Sequence, residues 1–509
     1  MVVKEIMATL ALIVLFILVW STPLTTGEQS NGCVCGAKHT LLVLADFPDY
    51  PHLSSSGEIA NVFFNRVARY FYDVSYGKLS VTGNSTDWIM LPKLYSQYFG
   101  TGVQNSELVN VAQDAFSSAS QSFNFTSFDI VMLVLSFYPT QSGDFVSYAH
   151  GISTKTGLVT GFAIVDENSD WSAYAHAFAL SLGLWRAQVQ LSNMGAYDLA
   201  ARGDGDMSVW SKAKLGWVNA SQILSQDASS PQRIVTLDPV EDPGSDPLAL
   251  RIALGIAGGQ YWVEVRQPLG YDRDNLQDYG ALVTFSKSDN SSILLEETLQ
   301  PDVVSKAVFI DPNFDMSIVV LNSTQSRYRL LIGNEQDGRD AEAALYAISS
   351  AQNAIQTAQT EDRFERLGLA QQLLTNAQLL FSLGRFQDSN ALAVSSETTA
   401  NAATVPEAYQ HAVQLLAAAQ ALKNNTNSGA PPDSSLVVQA NAQLDIAEHA
   451  FDVRNFTLTE QASQSAIDLY NRAKQTEVLD GILNTISDLA LVIPIVVLAF
   501  ALRSQLKSK

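Results

Sequence analysis

The chain has 509 residues, 47% of them hydrophobic, and carries 51 Asp and Glu against 30 Lys and Arg. Its length allows about two to four domains, and its apolar content excludes a disordered chain. A formal charge of −21 with no Lys/Arg-rich run excludes nucleic acid as a partner.

Lys4 precedes an apolar run over 6–20, and a polar stretch follows over 21–27. This pattern reads as a secretory signal peptide at 1–27, the alternative being an uncleaved membrane helix. Cys33 and Cys35 are the only cysteines. They either pair with each other across a tight C-x-C ring or bond to another chain, and without clustered histidines they make a weak metal site.

Residues 37–222 mix strand and helix signals. The apolar run 41–45 ends in Asp46-Phe47-Pro48-Asp49 and predicts a buried strand, as does 129–137. Helical spacing over 59–72 aligns Val62, Phe63, Val67, Tyr70 and Phe71. Over 171–184 it aligns Trp171, Tyr174, Ala175, Phe178 and Leu182. From 230 to 335 the period becomes two, with Tyr261, Val263 and Val265 alternating with Trp262, Glu264 and Arg266. Further β-rich runs lie at 281–285, 307–310, 317–321 and 328–332, predicting an antiparallel β-domain.

Residues 337–476 are Ala/Gln/Leu-rich and helical. Ala370, Leu374, Ala377, Phe381 and Phe386 recur 70 positions later as Ala440, Leu444, Ala447, Phe451 and Phe456. Steps of 4, 3 and 4 mark one helix face, so the repeat predicts two helical hairpins separated by the loop 424–434. The bland reading is a stalk and the sharper one a ligand-binding repeat. Next, 482–502 reads as an apolar run interrupted by Asp488 alone, which predicts a transmembrane helix kinked at Pro494. Arg503, Lys507 and Lys509 then put the tail 503–509 in the cytoplasm. The expectation is a single-pass, cell-membrane, cell-surface protein with a large extracytoplasmic N-terminal part. Asn84, Asn124, Asn219, Asn290, Asn322, Asn424 and Asn455 each open a glycosylation sequon between the two apolar segments.

Several ordered segments carry a resemblance. Tyr72-Asp73-Val74-Ser75-Tyr76-Gly77-Lys78-Leu79, Asp198-Leu199, Ser211-Lys212-Ala213-Lys214-Leu215-Gly216-Trp217, and Tyr261-Trp262-Val263-Glu264-Val265-Arg266-Gln267 with Gly270-Tyr271-Asp272 resemble the immune inhibitor A family of secreted zinc metallopeptidases. The resemblance covers roughly 38–290. It implies a zincin-like metallopeptidase domain at 37–222 followed by the β-domain at 230–335; with the helical stalk at 337–476 and the membrane helix at 482–502 read above, the expected fold class is α+β.

The family's zinc motif, H-E-x-x-H-x-x-G-x-x-[HD], needs two imidazoles one turn apart, a glutamate base, a turning glycine and a third ligand. The matching segment here runs from His176 to Arg186 and keeps His176 and Gly183. Ala177 stands at the base, Leu180 at the second ligand, and Arg186 at the third, where its charge opposes a cation. Ala200 replaces the methionine expected beneath the metal. His176 is then either a remnant ligand helped by His150 or Asp198, or a leftover histidine in an old cleft.

Asp204-Gly205-Asp206 reads as a calcium loop or a solvated turn, Asp46 and Asp49 as a strand-end turn, and Glu241, Asp242 and Asp246 as a solvated loop. No phosphate-binding glycine loop and no Ser/His/Asp or Cys/His set stands out. The expected function is a degenerate, catalytically silent metallopeptidase-like domain serving binding or envelope assembly, with a peptide or cell-envelope protein as partner. No cofactor is expected, and zinc only if the site has been rebuilt. The alternatives are an active metallopeptidase with a rebuilt site and a purely structural envelope stalk protein.

Overall fold

A computed structural model describes residues 32–100, 105–137, 144–147, 151–184, 194–201, 203–255, 259–276, 278–287, 293–301, 304–324, 327–426 and 435–506. The expected signal peptide, His150 and Arg186 lie outside the described residues. The chain divides into two compact units: Met1–Leu345 with Phe381–Gln387, and Tyr346–Leu380 with Asp388–Lys509.

The first unit opens on β1 (Gly36–Asp46), the buried strand expected from its apolar run. α1 (Ser56–Asn61) runs through a π-helical turn (Val62–Val67) into α2 (Ala68–Val74). Ser55 starts it with a capping box to Glu58, which satisfies otherwise orphaned amides at the helix start. Then come β2 (Leu79–Ser85), β3 (Ile89–Met90), α3 (Tyr95–Phe99), α4 (Asn105–Ala119), β4 (Ile130–Leu135), β5 (Asp144–Ser147), the hairpin of β6 (Ile152–Thr154) with β7 (Gly157–Val159), and β8 (Phe162–Asp166). The sheet order is β2-β1-β4-β8-β5, with β3 beside β1. All pairs are parallel except β5, which closes one end antiparallel to β8. Parallel strands are buried on both faces, and β1 shows it. Its Leu42 and Leu44 enter one core with α2 and α5 (Trp171–Ala179), while Leu41, Val43 and Ala45 enter another with α4.

α6 (Val209–Lys214) leads into β9 (Ile223–Asp227) and a two-sheet β region. Its other strands are β10 (Arg233–Leu237), β11 (Ala249–Ala253), β12 (Gln260–Arg266), β13 (Gly280–Ser286), β14 (Ile293–Leu299), β15 (Val308–Asp311), β16 (Met316–Thr324) and β17 (Arg327–Gly333). One sheet is β14-β13-β12-β11-β9 and the other β10-β17-β16-β15. Tyr261, Val263 and Val265 of β12 share a core with Ile318 and Val320 of β16 and Leu330 and Ile332 of β17. The expected antiparallel β-domain needs one correction: β9 pairs parallel with β11, so the sheet starts at 223 and is mixed.

Helices follow: α7 (Glu335–Thr360), α8 (Leu367–Ser382), α9 (Phe386–Asn401), α10 (Glu407–Thr426), α11 (Ser435–Asp452) and α12 (Phe456–Leu506). The 70-residue repeat coincides with the pairs α8/α9 and α11/α12. Ala370, Ala377, Ala440 and Ala447 are buried, so small side chains face the helix contacts. Equivalence extends to the backbone: Gly384 and Arg454, one repeat apart, both turn the chain with positive φ, 75° and 58°. Within the second unit, Ser389 and Ser396 donate to the carbonyls of Ala377 and Ala370, and Tyr470 donates to Asn441.

The expected membrane helix is corrected. Residues 482–502 are helical as part of α12, yet among the described residues no helix is long and apolar enough to cross a membrane. Asp480, Asn484, Thr485, Ser487 and Asp488 crowd the start of the segment. The uninterrupted apolar stretch, 489–502, rises only ~21 Å at about 1.5 Å per residue, against the ~30 Å of a hydrocarbon core. The membrane partner, the single-pass topology and the cell-membrane, cell-surface placement drawn from it fall with it.

Candidate functional site

The motif helix α5 begins at Asp170, whose carboxylate caps it by accepting from the amide of Ala173 at 3.0 Å. It ends in a π-helical turn over Leu180–Leu184, where Gly183 takes φ 119°. The turning role assigned to this glycine is therefore kept, since an L-residue is strained at that angle. His176, Ala177 and Leu180 are 2%, 0% and 3% exposed. Ala177 and Leu180 belong to the large core with Phe63, Phe71 and Phe178.

The Nδ1 of His176 lies 2.7 Å from the carbonyl of Leu199. A carbonyl only accepts, so Nδ1 carries the proton of this bond, which in the neutral ring leaves the lone pair on Nε2. That is the tautomer a metal-ligating imidazole uses. The neighbouring positions do not complete a ligand set: a methyl and an isobutyl group stand where base and second imidazole are needed. Asp198, considered as a helper ligand, is fully buried and otherwise engaged. It accepts from the amides of Ala200 and Ser208, at 2.7 and 2.9 Å, and from the hydroxyls of Ser208 and Ser211. Among the described residues no group of three or more His, Cys, Asp or Glu side chains is placed to hold a metal ion.

The remaining resemblance segments meet in a buried ionic cluster. Trp262, Glu264 and Arg266 lie on the face of β12 opposite the sandwich core, and this face is covered within the first unit. Arg266 is fully buried. Its Nε donates to Asp272 at 2.7 Å and to Glu241 at 2.8 Å, and its terminal nitrogens reach Glu264 at 3.1 Å and the carbonyls of Tyr197 and Asp206. Lys212, also fully buried, donates to Asp206 at 2.8 Å and to the hydroxyl of Tyr76 at 3.1 Å, with its ammonium 4.3 Å from the Tyr76 ring centroid. Glu264 accepts from the amide of Val209, tying β12 to the start of α6.

Protonation follows from burial and neighbours. Burial, with Asp272 beside it, pushes the Glu241 carboxyl well up. Burial also acts on Asp272, but Arg266 and Glu241 keep it below the usual aspartate range. Asp206 and Glu264 are pushed up, chiefly by burial, against the pull of Lys212 and Arg266. The Tyr76 hydroxyl is pushed up to about 12, mainly by burial.

Asp206 is therefore an ion-pair partner of Lys212, and Asp204 offers its main-chain carbonyl to Asn275. The turn reading holds for Asp46 and Asp49, which accept from His52 and from the amide of Tyr95. Glu241 departs from the solvated-loop reading, being buried against Arg266. Asp246 instead pairs with the half-exposed Arg327. Cys33 and Cys35 are bonded to each other. Sequence reasoning missed the cluster's carboxylate–cation pairing. Its one signal was Glu264-x-Arg266 on the polar phase of a strand, which alone reads as a solvated face. No protein-family model matches this chain, and no curated protein matches it at a significant level.

Proposed function

We propose that this chain is a non-hydrolytic binding protein built on a metallopeptidase-like scaffold whose catalytic positions now serve packing. One observation carries the reading. The helix expected to bear the zinc motif keeps its turning glycine and a ligand-type histidine, while its base and second-ligand positions are apolar core residues. A scaffold that retains the ligand's orientation without the base lacks a group to deprotonate water. The edge of β5, paired only with β8 among the described residues, is where an extended segment would add as a further strand.

The test is elemental analysis of the purified full chain, together with a chelator-controlled proteolysis assay on casein. Zinc well below one equivalent and no chelator-sensitive cleavage are expected. Stoichiometric zinc lost on His176→Asn, with cleavage lost in parallel, would establish the rebuilt-enzyme alternative instead. As a converse test, Ala177→Glu, Leu180→His and Arg186→Asp together should raise zinc affinity above the parent's.

A further inference from the structure

The distal part of α12 stands apart from the helices of its own unit. Up to Ala473 the helix supplies a buried row, Ala466, Tyr470 and Ala473, to a core shared with Ala419 of α10 and with Val437, Ala440 and Leu444 of α11. After Ala473 every residue of α12 whose side chain is described is exposed. Leu479, Ile482, Ile486, Leu489, Ile493 and Val496 are among them, at 45–59% exposure. A lone helix is marginal in water and draws its stability from packing an apolar face. Among the described residues nothing covers this one.

The six residues step by 3, 4, 3, 4 and 3, the spacing of a seam between supercoiled helices. The polar residues fit the same frame. Asp480, Gly481, Asn484, Ser487 and Asp488 all fall at positions that such a seam turns outward, and so does Pro494. At about 100° per residue, Ile486 stands ~160° around the helix from Tyr470. The seam is therefore a second face, not a continuation of the row packed on α10 and α11.

We infer that this seam packs against the same seam of a second copy of the chain. Two observations select that occupant. Charged side chains beside a seam choose and exclude partners, and the flanking positions here are Leu483, Thr485, Ala490 and Val492. No charge at these positions repels an identical chain, although the net charge is −21. The area is also sufficient. Six half-exposed Leu, Ile and Val side chains offer on the order of 100 Å² each, so two copies cover on the order of 1,200 Å², the lower end of stable specific interfaces. This inference is independent of the state of the motif helix.

The experiment is sedimentation equilibrium of the purified full chain in detergent-free buffer, from about 0.2 to about 20 μM, with circular dichroism on the same samples. The molar mass should rise toward that of two copies, and helix content should rise with it. Ile486→Asn and Leu489→Asn, both on the seam, should each weaken association about tenfold or more. Both side chains are exposed, so neither change disturbs the core of a single copy. Ser487→Asn, one position off the seam, should leave association unchanged. A monomer at every concentration, unchanged association in Ile486→Asn and Leu489→Asn, an equal loss in Ser487→Asn, or monomers that float with phosphatidylcholine vesicles in place of dimers would each overturn the assignment.

Discussion

Replacing Lys212 by Met keeps most of the stem volume and removes the ammonium from a fully buried pair. What remains is the carboxylate of Asp206, 2.8 Å from where the charge was and already pushed up by burial. Left alone in a dry site, it escapes by taking a proton. In the unfolded chain it titrates at the ordinary aspartate value of 3.8, so folding it protonated costs ~1.4 kcal/mol per pH unit above that. The cost is about 4 kcal/mol at pH 7 and about 2 kcal/mol at pH 5, in line with the ~3–5 kcal/mol of a broken buried pair. Relief of the ammonium's own desolvation offsets part of this, so these are upper values. The sign is fixed: a carboxyl raised on folding loses stability as pH rises, and the variant's deficit should grow from pH 5 to pH 7. Adding Asp206→Asn should recover most of the loss, since an amide leaves no charge behind. Urea unfolding followed by tryptophan emission is the assay, because all seven tryptophans lie at or before Trp262 and report the first unit. A deficit below ~1 kcal/mol at pH 7, or one that does not shrink on acidification, would refute the reasoning.

His176→Ala should cost about 2–4 kcal/mol, since it removes a buried side chain and leaves the Leu199 carbonyl short of a donor; urea midpoints against the parent measure this. Tyr76, pushed up to about 12 from its ordinary 10.0, keeps its proton on folding. The unfolded chain loses that proton first, so stability should fall between pH 10 and 12, and a melting series should show a shallower fall in Tyr76→Phe. In the second unit, Phe451 packs on Tyr409, with ring centroids 5.6 Å apart. Phe451→Asp puts a charge there and should lower the helical melt by several degrees in circular dichroism. Arg454, at φ 58°, gains backbone ease as Gly but gives up the Phe364 ring under its guanidinium. Arg454→Gly should therefore leave that melt within about 1 kcal/mol of the parent.

Local patterns were sufficient where one physical cause dominated. The apolar run of β1, the period-two phase of β12 and the 4-3-4 steps of the helical repeat each state which residues must leave water, and burial follows for β1, for the apolar phase of β12 and for the repeat's alanines. The missing base and second ligand were equally readable, because Ala177 and Leu180 lack the atoms whatever surrounds them. Length plus apolar content was a weaker guide for 482–502, where clustered polar residues cut the uninterrupted stretch short. Tertiary structure alone decided what the polar phase of β12 does. Glu264 and Arg266 read as a solvated face until a second layer covers them and turns them into a buried, charge-paired cluster with Lys212, Asp206, Glu241 and Asp272. It also decided the alignment of Ser225, Arg251 and Trp262, which are 26 and 11 positions apart in sequence and adjacent only through strand register. Charge pairing and cross-strand alignment depend on distances between segments far apart along the chain, and those distances exist only once the layers have packed.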